Sequence, residues 1–178
     1  MSVAVHIRLL GSPEVTCDGV GITLNRRKTL ALLAYLSVEP ASYSREFLAT
    51  LLWPEADEAR GLTYLRNSIW ELNQTPLAEL LVVDRRNVLL PDSRYLAVDV
   101  RKFREYLANT ALHNHTPGRL CAECCENLEQ AVAIHKQLFL SGFFLDECHE
   151  YEQWMRMEED GLLRDYTRTL HFLTDHYY

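Results

Sequence analysis

The stretch EARGLTYLRNSIWELNQTP, Glu58 to Pro76, spaces its aliphatic residues as one stripe of an α-helix. Leu62, Leu65, Ile69 and Leu72 recur three, four and three residues apart, and Pro76 closes the run. At about 100° per residue, the opposite side holds Arg60, Thr63, Tyr64, Asn67, Trp70, Glu71 and Gln74. Arginine, threonine, asparagine and two aromatic rings are not the usual Lys/Glu coat of an exposed helix. The spacing therefore predicts a helix whose outer face reads DNA, binds another protein, or does neither.

Two shorter helices are predicted upstream. RRKTLALLAYLSVEP, from Arg26, carries Leu30, Leu33, Ala34 and Leu36 on one side and stops at Pro40. SREFLATLLWPEAD has Ser44 as N-cap and Phe47, Leu48, Leu51 and Leu52 as its apolar set. Before them, VAVHIRLLG, EVTCDG and GITL read as short strands separated by Ser-Pro and Asp18-Gly19. After the Glu58 helix, LLVVDRRNVLLPD reads as a hairpin turning at Asp84-Arg85-Arg86-Asn87. From VDVRKFREYLANTAL onward only helix is predicted. Val100, Phe103, Tyr106 and Leu107 mark one face. Leu128, Ala131, Val132, His135 and Leu138 mark the next. A long last run carries Trp154, Met157, Leu162, Tyr166, Leu170 and Leu173. The fold class is α+β, with a strand–three-helix–hairpin unit over 1–98 and an all-α array over 99–178. The chain stops in an apolar aromatic stretch without a helix-ending signal, so this array is expected to continue in a longer protein.

The 178 residues are 48% hydrophobic and 24% charged, as in an ordinary globular chain. No apolar run approaches the roughly 18 residues of a membrane span. MSVAVHIRLLGSPEV lacks the parts of a signal peptide, which predicts a cytoplasmic protein with free thiols. A net charge of −7 argues against sequence-blind affinity for nucleic acid. The acidity is uneven: residues 1–100 hold 10 Lys/Arg against 12 Asp/Glu, and residues 101–178 hold 8 against 13. Positive charge gathers at Arg26, Arg27 and Lys28 and at Arg85 and Arg86. Local patches matter more than net charge for a specific binder.

Together, VHIRLLGSPEVTCDGVGITLNRRKTLALLAYLSVEP, SREFLATLLWPEAD, ARGLTYLRNSIWELN and LLVVDRRNVLL resemble the winged-helix DNA-binding domain of bacterial transcriptional activators. That domain is related to the response-regulator winged helix. VDVRKFREYL and LEQAVAIHKQLFLSGFFLDECHEYEQWMRMEEDGLLRDY resemble the bacterial transcriptional activator domain (BTAD), built in that family of tetratricopeptide-like helices. The resemblance implies a transcription regulator, not an enzyme, whose partners are double-stranded DNA and either another protein or downstream domains of the same chain. Its third helix would enter the major groove with Arg60, Thr63, Tyr64 and Asn67, and Arg66 on the flank. Arg85 and Arg86 would sit at the wing tip, and Arg26, Arg27 and Lys28 at the start of the first helix. Two positions that are usually basic in the family are Glu71 and Asn73 here, and Trp70 lies beside them. Those departures support an alternative: a protein-interaction or sensory module with a degenerate winged helix that does not bind DNA.

HNHTPGRLCAECC places His113, His115, Cys121, Cys124 and Cys125 within thirteen residues. Two histidines with Cys-x-x-Cys supply ligands suited to tetrahedral zinc, with Cys125 as an alternative ligand. The competing readings are plain packing of small cysteines and a redox pair, although the strand expected before a redox Cys-x-x-Cys is missing. No cofactor is required by any other motif. There is no Gly-x-x-x-x-Gly-Lys loop and no catalytic triad or paired carboxylates, so no enzymatic activity is expected.

Overall fold

The computed structural model describes residues 4–113, 115 and 119–178. Strand β1 (Val5–Arg8) turns Val5 and Ile7 inward and His6 and Arg8 outward. It pairs antiparallel with β2 (Glu14–Cys17), which pairs with β3 (Val20–Gly21) through a two-residue turn at Asp18 and Gly19. Both turn residues have positive φ, 48° and 81°, which is what Asp-Gly supplies most readily. Helices α1 (Arg27–Val38), α2 (Arg45–Leu52) and α3 (Glu58–Asn73) follow, with β4 (Tyr43–Ser44) between the first two. Ser44 and Asp57 cap α2 and α3 by accepting the Phe47 and Arg60 N–H groups, 3.1 and 3.0 Å away. A 3-10 turn (Pro76–Glu79) leads to a hairpin of β5 (Val82–Val83) and β6 (Asn87–Leu89), with β4 joining β6 as a third strand. Strand β7 (Leu96–Val98) then runs parallel to β1 and completes a sheet ordered β3-β2-β1-β7.

Two side chains of α4 (Asp99–Ala111) lock these layers together. Asp99 accepts the N–H groups of Leu9 and Leu10 at 2.8 Å, so the end of β1 and the start of α4 share one carboxylate. Arg101 donates to the carbonyls of Leu36, Ser37 and Leu90 and to Asp92. The last turn of α1 has no basic residue of its own, and this guanidinium satisfies its unpaired carbonyls from outside.

α5 (Ala122–Ile134) packs against α4, and α6 (His149–Tyr177) runs for 29 residues. The expected run of helix through Leu138 is interrupted. His135 leaves the helical region, and Leu10 bridges Phe139 while Leu140 N–H donates to Leu9 O at 2.7 Å. Residues 139–141 therefore pair with residues 9–11 just past the end of β1, where backbone groups left open find partners in this segment. The start of α6 packs back on the first half. Tyr151 is fully buried with its hydroxyl donating to Ala31 O, and the Cys148 thiol meets Leu52 O. One apolar cluster contains Val5, Leu36, Leu52, Phe103, Leu145 and Leu162, so the core is continuous across residue 98.

Candidate nucleic-acid interface and thiol–imidazole cluster

On α3, Leu65, Ile69 and Leu72 face the core, joined by Gly61, Ser68 and Glu71, while Leu62 is partly buried. The position of Glu71 differs from the outward one its helical angle suggested. It is only 8% exposed, and its carboxylate accepts Asn25 N–H at 2.6 Å and the Thr29 hydroxyl at 2.7 Å. Arg26 lies 3.5 Å from Oε2, the oxygen that the Thr29 hydroxyl bonds. α1 has no acidic residue in its first turn and no side-chain cap, so Glu71 supplies from α3 the negative charge that this helix start favours. Charge and burial both trace to this contact, which a single helix projection does not contain.

Arg60, Thr63, Tyr64, Arg66 and Asn67 remain on the outside of α3. Arg60 pairs loosely with Asp57 at 3.4 Å, and Thr63 donates to Ala59 O within its own helix. Arg66 forms no ion pair among the described residues. Trp70 is 60% exposed. Arg26, Arg27 and Lys28 adjoin this face. With Trp53, Tyr64, Asn67 and Ser68 they line a shallow depression of about 230 Å³, and Arg26 donates to Asn67 O at 3.3 Å. Two basic groups there already have partners. Arg27 donates to Phe144 O at 2.7 Å and lies over the Phe144 ring, and Lys28 pairs with Glu55 at 3.1 Å. Arg85 and Arg86 are exposed at the β5–β6 turn. Asp84 accepts the Arg86 and Asn87 N–H groups, which fixes the turn and draws its carboxyl below the usual range.

The second cluster lies at the α4–α5 connection. Cys121 is the residue before α5 and Cys124 is in its first turn, while His113 lies two residues past the end of α4. One donor atom from each of His113, His115, Cys121 and Cys124 lies within 4.8 Å of all the others. His113 Nδ1 is 3.4 Å from Cys121 Sγ and 3.2 Å from Cys124 Sγ, and His115 Nε2 is 4.0 Å from Cys121 Sγ. Hydrogen bonding to His113, helped by the Cys124 backbone, brings the Cys121 thiol down to about 7. Burial, and then the neighbouring Cys121, push Cys124 up to about 11. Cys125 points elsewhere, with its sulfur 3.1 Å from the Tyr177 hydroxyl on α6.

Sequence reasoning overlooked Glu71 as an anchor and the half-buried Arg45 beside the hairpin. Arg45 N–H donates to Arg86 O at 2.8 Å, and its Nε is buried without a partner. Neither carries a local signal, because both act through contacts between distant segments.

No helix among the described residues is long and apolar enough to cross a membrane. No protein-family model and no curated protein sequence matches the chain. Among solved structures, Mycobacterium tuberculosis EmbR in complex with a low affinity phosphopeptide superposes on 94% of this chain with a TM-score of 0.69 and 18% identity. The chain spans 44% of that chain's length. Its mixed α+β architecture is thus a fold shared with a part of EmbR.

Proposed function

We propose that this chain is the DNA-reading and adaptor portion of a bacterial transcription regulator. On this reading α3 is a recognition helix, the β5–β6 hairpin is the wing of a winged helix, and the helices from α4 onward contact protein or the rest of a longer chain. The observation that supports it best is the shared surface of α1 and α3. Arg26, Arg27 and Lys28 border the same depression as Tyr64 and Asn67, although thirty or more residues separate them in sequence. Burial of Glu71 removes its carboxylate from that surface, so the objection that it repels phosphate loses force. Asn and Arg on a helix can bond base edges in the major groove, and exposed arginines at a hairpin tip suit phosphate.

Fluorescence anisotropy with promoter-derived duplexes, at about 50 and 200 mM salt, tests this reading. Asn67→Ala and Arg66→Ala should each weaken a specific site by about 1–3 kcal/mol. Arg85→Ala should weaken all sequences alike and lower the salt slope by about 1. Unchanged binding in the first two variants sinks the recognition-helix assignment.

A second reading, an interaction module that does not bind DNA, draws on the internal partners of Arg27 and Lys28 and on the exposed Trp70. EmbR, which shares this fold over 44% of its chain, was solved in complex with a low affinity phosphopeptide. This reading predicts no DNA retention even at low salt.

A further inference from the structure

We propose that His113, His115, Cys121 and Cys124 form a closed tetrahedral zinc site that pins the α4–α5 connection. With Zn–S near 2.3 Å and Zn–N near 2.0–2.1 Å, a tetrahedral ion sets its nitrogen and sulfur ligands about 3.5 Å apart. Three of the four N···S separations are 3.2, 3.4 and 4.0 Å, and they bracket that value.

Plain packing accounts for Cys124, which is buried, but gives no reason for the exposed His113 and Cys121 to converge on it. Hydrogen bonding is divided among several partners, since the Cys124 thiol also reaches Thr110 O at 4.0 Å. His113 Nδ1 faces two sulfurs and carries at most one proton, so it donates to only one of them. A cation among the four donors satisfies both sulfurs and both rings. Two thiolates and two imidazoles favour Zn²⁺ over the hard cations that take oxygen ligands. Binding releases the two thiol protons to solvent, so the added charge of the ion is offset. Four protein ligands leave no open position, which makes the site structural rather than catalytic.

The site also lies where three helices meet. Leu120 N–H donates to His176 Nδ1 at 3.2 Å, and Cys125 meets Tyr177, so the corner that zinc would fix is the one holding the end of α6. The site is independent of the α1–α3 surface and of whether the chain binds DNA.

The test uses the whole chain, without a polyhistidine tag and under reductant. Elemental analysis should find one zinc per chain. After chelation, Co²⁺ should give the absorption of a tetrahedral ion with sulfur-to-metal charge transfer, and Zn²⁺ should displace it and raise the melting temperature. Cys121→Ser, at an exposed position, should weaken metal binding by more than about 100-fold, since even outer-shell losses cost about 10–100-fold. His113→Ala should do the same, and Cys125→Ser should retain the metal. A reduced chain that takes up neither ion overturns the proposal. So does an octahedral cobalt spectrum, or a Cys121→Ser chain that binds as tightly as the parent.

Discussion

Glu71 shows how one side chain can serve two helices. It lies on α3, yet its carboxylate takes the Asn25 N–H and the Thr29 hydroxyl at the start of α1. Glu71→Ala removes the acceptor of the Asn25 N–H and one of two partners of the buried Thr29 hydroxyl, which keeps Ser68 Oγ at 3.1 Å. It should cost about 1–3 kcal/mol, whereas Glu71→Gln should recover part of that loss. Urea midpoints of the two variants measure the difference. A second residue-scale effect belongs to His135, which stacks on Tyr166 at 4.5 Å and lies 5.5 Å from the Phe103 ring. Burial lowers its pKa below the ordinary 6.5, and the nearby Asp99 charge opposes this only in part. The neutral ring is thus favoured in the fold. Its contribution to stability is complete above about pH 6.5 and is lost as pH falls through the lowered folded value. His135→Phe keeps an aromatic ring against Tyr166 and should flatten that loss in denaturation curves taken from pH 7.5 to 5. An unchanged slope would show that other histidines carry it.

At the scale of elements, the approach of α2 to α3 depends on Gly61. A Cβ at that position would meet the Ala49 Cβ at 3.4 Å, so alanine lies at the limit and a branched side chain exceeds it. Gly61→Val should cost about 1–3 kcal/mol by forcing the helices apart. Because Gly61 faces inward, the substitution should lower the melting temperature before it changes any contact made by Thr63 or Asn67. A melting temperature equal to the parent's would mean that the helices have slack. The helices themselves were legible in the sequence because each carries its own apolar stripe, cap or proline stop. The end of α5 was not, because residues 135–138 keep an apolar spacing while the backbone beyond them turns to pair with Leu9 and Gly11.

For the whole molecule, the continuous core predicts one cooperative transition. Tyr151, Cys148 and Leu162 from the second half are buried in the same cluster as Leu36 and Leu52 from the first. Thermal unfolding followed by tryptophan fluorescence and by far-ultraviolet dichroism should give coincident curves, and separated transitions would contradict a shared core. The sequence by itself determined the order of the helices, the first strands and the hairpin, the inner stripe of α3, the Ser44 cap and the gathering of histidines and cysteines in one short segment. Each of these follows from local periodicity or spacing. Only the tertiary structure decided that Glu71 turns inward, that the basic start of α1 borders α3, and that Cys124 rather than Cys125 faces the two histidines. Those outcomes depend on which distant groups meet, and burial and hydrogen-bond satisfaction select among them only once the chain is packed.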